Sequence, residues 1–173
     1  MAQDEQHRNR LYEQAVAAHG AALARLARAV EADPERARDL EQDVHLALWR
    51  SLADYDGRCA LGTWTYRVAH NIAASHGREG ARAVRLVGLD EAEGIAGDAD
   101  PERETGEAHA LARLRLLIAA LTPPDRSVIL LWLEGLDARA IAEVTGLSPN
   151  NVAVKTHRIR ALLAREFEDG DPK

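Results

Sequence analysis

LEGLDARAIAEVTGLSPNNVAVKTHRIRALLARE, residues 133–166, holds two helical periods joined by a Gly-Leu-Ser-Pro corner. In the first, over 137–145, Ile141 and Val144 fall on one side of a helix. Gly146 can take the left-handed conformation that ends a helix, and Leu147 plugs the corner. Ser148-Pro149 then starts a second helix. There Val152, Thr156, Ile159 and Leu163 form one stripe, imperfect only at Thr156, while Asn150, Asn151, Val154, Lys155 and Arg158 take the other face. Helix, short glycine turn, helix is the layout of a helix-turn-helix. A recognition helix needs this division, because the apolar stripe docks it and the polar side chains reach base edges and phosphates. Asn pairs bidentately with adenine, and Arg or Lys with guanine. The bland alternative is a helical hairpin with a solvated basic face, and the corner argues against it. His157 reads as a phosphate or packing contact rather than a metal ligand.

Outward from this unit the chain stays helical. Ala, Leu, Arg and Glu dominate, and no segment alternates with β-branched content. Four helix starts share one punctuation, a capping residue followed by proline: Asp33-Pro34, Asp100-Pro101, Thr122-Pro123 and Ser148-Pro149. The cap side chain accepts from a free backbone N–H, and proline gives up a donor that had no helical partner. Helices are predicted at 7–32, 34–53, 63–80, 101–121, 123–134, 137–145 and 148–168. Residues 81–100, with three glycines and five acids and no sustained period, read as a linker. A structured acidic loop is the alternative there.

The 173 residues suit one medium domain or two small ones, and 46% apolar with 29% charged residues is ordinary for a folded protein. No apolar run approaches the roughly 20 residues of a membrane span. The start, MAQDEQHRNR, has no apolar signal core, and the single cysteine, Cys59, makes neither an internal disulfide nor a cysteine-based zinc site. These features place the chain in the cytoplasm, without membrane insertion. The net charge of −6 argues at first against a polyanion partner. Its distribution changes that: 1–80 carry 10 basic and 12 acidic side chains, 81–110 carry 3 and 8, and 111–173 carry 9 and 8. Local fields steer a polyanion, and Lys155, Arg158, Arg160 and Arg165 form a run free of acids.

A second concentration lies in DYDGRCALGTWTYRVAHNIA, residues 54–73. Of only seven aromatics, Trp49, Tyr55, Trp64 and Tyr66 fall within eighteen residues, interleaved with Arg50, Arg58 and Arg67. Such a cluster is either a core built around rings or a platform that stacks bases. Trp64, Arg67, Asn71, Ala74 and Arg78 share one helical stripe, with Val68, Ile72 and Ser75 beside it. Rings and guanidinium planes stack on bases while cations track the backbone. Trp64 and Tyr66 cannot both face outward, and Tyr66 is the one expected in the core. On the preceding helix Leu40, Val44, Ala47 and Leu48 face inward, and Asp39, Gln42, Asp43 and Arg50 outward. An enzyme reading finds little support: no HExxH or paired CxxC occurs, and His70 and His76 lie on different faces of their helix.

DLEQDVHLALWRSLADYDGRCALGTWTYRVAHNIA resembles region 2 of bacterial sigma-70-type factors. LTPPDRSVILLWLEGLDARAIAEVTGLSPNNVAVKTHRIRALL resembles their region 4. Two such regions with a short acidic linker resemble the extracytoplasmic-function (ECF) group. The resemblance covers 10–80 and 108–166. It implies an all-α chain of two small helical domains: region 2 over 1–80, an acidic linker over 81–107 and region 4 over 108–173. It also implies a polymerase specificity subunit that is not an enzyme and needs no cofactor. Its partners would be the clamp and flap regions of bacterial core RNA polymerase, a single-stranded −10 element, a duplex −35 element and an anti-sigma factor. By position, Asp39, Gln42, Asp43 and Leu46 match the clamp-binding helix. Asp56, Gly57, Arg58, Cys59, Ala60 and Leu61 match the loop that pockets a flipped −10 base. Trp64, Tyr66, Arg67 and Asn71 match the helix that meets the melted strand. Ser148, Asn150, Asn151, Lys155, Arg158 and Arg160 match the −35 recognition helix. Asn150-Asn151 replaces a common Gly-Thr, Ala153 stands at a frequently basic position and His45 where an aromatic is usual. The residues alone leave two alternatives: Asp39 and Asp43 as solvated helix charges, and the chain as a homodimeric helix-turn-helix regulator acting without polymerase.

Overall fold

Two groups of helices meet along one seam in the computed structural model, which describes residues 2–87 and 106–168, with side-chain surroundings over 4–76 and 110–165. Among the described residues there are seven α-helices and no strand. The first group is α1 (Ala2–Val30), α2 (Pro34–Ser51) and α3 (Leu61–Val87). The second is α4 (Gly106–Ala120), α5 (Pro123–Leu133), α6 (Ala138–Thr145) and α7 (Pro149–Glu168).

The caps explain most boundaries. Asp33 accepts from the Glu35 and Arg36 amides at 2.8 and 2.9 Å and starts α2. Asp137 accepts from the Ala140 amide at 2.8 Å, and Ser148 from that of Asn151 at 3.2 Å. Gly146 ends α6 with φ 75°, the left-handed conformation expected of it. Thr122 departs from expectation. It precedes α5 without a side-chain bond to the helix backbone, and Pro123 and Pro124, which have no N–H to donate, follow it.

Most boundaries fall within two residues of the predicted ones, α1 and α2 each ending two residues early at Val30 and Ser51; three others are instructive. α1 begins at Ala2 rather than residue 7, with Asp4 and Glu5 in its first turn where the helix dipole favours them. α3 begins at Leu61 rather than Thr63, since the Trp64 amide already donates to the Ala60 carbonyl at 3.1 Å. It also continues to Val87 instead of stopping at 80. The predicted Asp100-Pro101 helix start and most of the acidic linker lie outside the described residues.

Leu23, Leu40, Val44, Leu48, Leu52 and Ala69 form the core of the first group. Each large aliphatic buried this way contributes about 1.5–3 kcal/mol. Leu40, Val44 and Leu48 are the expected inward stripe of α2. Gly62 lets α3 approach α1 closely, for a Cβ there would lie 2.9 Å from His19 Nε2. In the second group Ile118, Ile129, Ile159 and Leu163 form one cluster. Val128, Leu131, Ile141, Val144 and Val152 form another, which also takes in Ala22 of α1 and Tyr66 of α3. That cluster crosses the seam and ties the two groups together.

Candidate nucleic-acid interface

The buried stripe of α2 turns its opposite face to solvent. Asp39, Gln42 and Asp43 are exposed there, and Leu46 stands among them with 46% of its surface open. His45 is held by the Tyr12 hydroxyl, 2.9 Å from its Nδ1. The two rings meet edge-on, 6.0 Å between centres.

The loop after α2 is organised from within. Asp56 accepts from the Arg58 amide at 3.1 Å and pairs with the Arg58 Nε at 2.9 Å. Gly57 between them has φ 76°. The Tyr55 hydroxyl donates to the Cys59 carbonyl at 2.7 Å and closes the loop. Asp56, Gly57, Arg58 and Ala60 are exposed, whereas Cys59 and Leu61 are half-buried.

Trp64 does not stand free of the loop as an outward face would require. Its Nε1 donates to Ser51 Oγ at 3.0 Å, and its ring meets Tyr55 edge-on at 5.5 Å. It is half-buried against the first core. Trp49 is likewise engaged, under the Arg8 guanidinium and donating to Asn9. The aromatic concentration therefore splits: Trp49 fastens α1 to α2, Tyr55 and Trp64 fasten the loop to α3, and Tyr66 enters the seam. Asn71 and Ala74 remain exposed on the α3 stripe; the side chain of Arg78 lies outside the described residues.

At the seam Arg67 Nε donates to the Glu143 carbonyl in the last turn of α6 at 3.2 Å, where the helix dipole favours a cation. Tyr66 is buried, 4% exposed, as expected of it. Burial raises its phenol pKa, and the nearby Glu134 charge adds to the rise. Arg25 of α1 grips Glu134 at the end of α5 in a fork, at 2.8 and 2.6 Å. Burial lowers the pKa of His70 on the same helix as Tyr66.

In α7, Val152, Ile159 and Leu163 are buried, as the stripe requires. Asn150, Asn151, Val154 and Arg158 are exposed on the other side. Two predicted residues are placed differently. Arg160 is about 200° round the helix from Arg158, with its guanidinium 4.7 Å from the centre of the Trp132 ring. Lys155 is drawn inward, its Nζ 2.7 Å from Asp125 Oδ1. Arg158 reaches the other oxygen of the same carboxylate at 2.5 Å. Burial would raise the Asp125 pKa, but the Lys155 hydrogen bond, both cationic charges and Thr122 outweigh it and hold the carboxyl below its ordinary range. Asp125, Arg25, Glu134 and Glu143 were not singled out from the sequence, where each is an ordinary helix charge.

Comparison with known proteins matches this geometry region by region. The family model described as Sigma-70 region 2 matches residues 15–83, and that described as Sigma-70, region 4 matches 111–163. RNA polymerase sigma factor CnrH of Cupriavidus metallidurans is 32% identical over 165 residues, covering 90% of this chain and 85% of the relative. The chain is an RNA polymerase sigma factor of the sigma-70 family, in its ECF group.

RNA polymerase sigma factor NccH of Alcaligenes xylosoxydans xylosoxydans is 30% identical over 156 residues, 87% of this chain and 83% of the relative. The solved structure of CnrH in complex with the cytosolic domain of CnrY superimposes with a TM-score of 0.70 and 26% identity, covering 98% of this chain and 96% of that one. A homodimeric regulator is not favoured, because it would leave the match over 15–83 without a purpose. Among the described residues no group of side chains suits a metal ion, and no helix is long and apolar enough to cross a membrane.

Proposed function

We propose that this sigma factor divides its work among three surfaces. The exposed face of α2, with Asp39, Gln42, Asp43 and Leu46, holds the clamp of core polymerase. The loop from Asp56 to Leu61 and the α3 stripe with Trp64, Arg67 and Asn71 receive the melted −10 strand. The N-terminal half of α7, with Ser148 as cap and Asn150, Asn151 and Arg158 outward, reads the −35 duplex in the major groove. Lys155 and Arg160 support that helix from its flanks. The chain up to the end of α3 acts as region 2 and that from α4 onward as region 4, which also meets the polymerase flap, with a linker between them. The protein works in the cytoplasm and catalyses nothing itself.

The α2 face carries this reading. Polar side chains belong on the solvent side of an amphipathic helix, but Leu46 set among them, 46% exposed, has no architectural need to be there. An anti-sigma factor that covers such polymerase-binding surfaces is the expected regulator. The complex of CnrH with the cytosolic domain of CnrY supports that expectation.

Reversing charge at Asp39 and Asp43 together, each to Arg, tests the reading. Like charges placed across an interface cost several kcal/mol, so retention on core polymerase should fall at least about tenfold with helix content unchanged. Runoff transcription from genomic fragments should fall in parallel. Unaltered retention by the double variant would refute the assignment of α2.

A further inference from the structure

Asp125 lies outside the surfaces just assigned, at the third position of α5, with only 7% of its surface exposed. A carboxylate so buried needs partners, since an unpaired buried charge is costly. It has two: Lys155 on one oxygen and Arg158 on the other. Both come from α7. The two cations are not equivalent. The Lys155 side chain is 21% exposed, whereas that of Arg158 is 63% exposed and open beyond its contact.

We infer that Asp125 is a positioning residue for promoter reading, anchoring Lys155 as a strut and aiming Arg158 as the cation that meets the −35 element. This rests on α7 being the −35 recognition helix. A planar guanidinium fixed at one edge presents its remaining donors in a defined direction, which bidentate pairing with a base requires. A flexible ammonium in the same place would bind any phosphate. By occupying Lys155, the carboxylate also removes one cation from sequence-independent attraction. Specificity therefore rises from both sides: the reading contact is aimed and a nonspecific contact is suppressed.

The test measures binding of the full-length protein with core polymerase to a promoter and to the same promoter with a scrambled −35 element, over a range of salt. Asp125→Asn should cut the ratio of the two affinities about tenfold, within the range for losing one bidentate base contact. It should also steepen the dependence of log affinity on log salt for the scrambled site by about 0.9 to 1.8, one or two extra phosphate contacts. Asp125→Glu should restore part of the ratio. Arg158→Lys should lose the ratio but keep the salt dependence, and Lys155→Met should keep most of the ratio. The last two variants retain Asp125 and decide the matter even if Asp125→Asn folds poorly. A wild-type ratio and salt slope in folded Asp125→Asn would overturn the inference alone, as would Lys155→Met losing as much as Arg158→Lys. A wild-type holoenzyme blind to the −35 sequence would overturn the region 4 reading and this inference with it.

Discussion

An indole can stack on a base only through the part of its face left open, and Trp64 keeps part of its surface for structure. Its N–H goes to Ser51 and its edge to Tyr55, so one side chain both locks the 56–61 loop onto α3 and borders the surface proposed for the melted strand. The two roles separate by substitution. Trp64→Phe keeps a ring and loses the bond to Ser51, worth about 1 kcal/mol of stability. Trp64→Ala should cost about 2–4 kcal/mol, toward the low end for a core tryptophan because the ring is half-exposed. Stacking returns about 1–3 kcal/mol per unpaired base. Below the unfolding range of both variants, permanganate reactivity of the −10 region should therefore persist with Phe and fall with Ala, while closed-complex binding holds in both. Normal melting by Trp64→Ala would remove the stacking role. Periodicity made Tyr66 legible as an inward residue, because a helix stripe reports which face is buried. It could not report that α5 and α6 do the burying. Asp125 was illegible for the same reason: Thr-Pro-Pro-Asp reads as a helix start, and nothing local ties it to Lys155, 30 positions on.

Among the elements, α6 and α7 show how far punctuation alone can define structure. Both caps and the glycine corner lie within a dozen residues, and each acts through a backbone group that local sequence controls. Gly146 at φ 75° is the most constrained of them. A Cβ there would meet nothing within 4 Å, so the whole cost of Gly146→Ala is conformational. It should be about 1–2 kcal/mol, measurable by denaturant unfolding with an unchanged slope; a variant as stable as wild type would show that α6 need not end in that conformation. Where punctuation is weak, prediction slipped. α3 lacks a capping proline, and its start was set two residues late because Gly62 reads as loop. The close approach to His19 that requires this glycine is a tertiary fact. Arg160 illustrates the opposite error. It belongs to the basic run of α7 by composition, yet two positions from Arg158 is close to the opposite side of a helix, and Trp132 takes it.

The whole molecule poses a problem of reach. A compact chain of this length has a radius of gyration near 16 Å, hence a diameter of about 40 Å. The −35 and −10 elements are separated by about 25 base pairs, roughly 85 Å of duplex at 3.4 Å per step. The arrangement with α3 against α6 cannot engage both at once, and it also occupies Arg67 with the Glu143 carbonyl. On the proposed assignment of α3 to the −10 strand and α7 to the −35 duplex, promoter binding requires the seam to part. What holds it is a small apolar contact around Tyr66 and Ala22 together with the Arg25–Glu134 fork and the Arg67–Glu143 bond. Arg25 is largely exposed, so the fork contributes no more than about 1 kcal/mol. Such a contact can hold the free protein closed and still yield to promoter DNA, whose two elements reach both proposed surfaces only in the open form. Arg25→Glu replaces attraction with repulsion and should shift the balance toward the open form by about 1–2 kcal/mol. Small-angle scattering of the free protein should show a larger radius of gyration for this variant, and adding Glu134→Arg should restore the compact value. The paired reversal separates the fork from any general effect of surface charge. If Arg25→Glu scatters as wild type does, the apolar contact around Tyr66 and the Arg67–Glu143 bond set the balance and the fork is incidental to it.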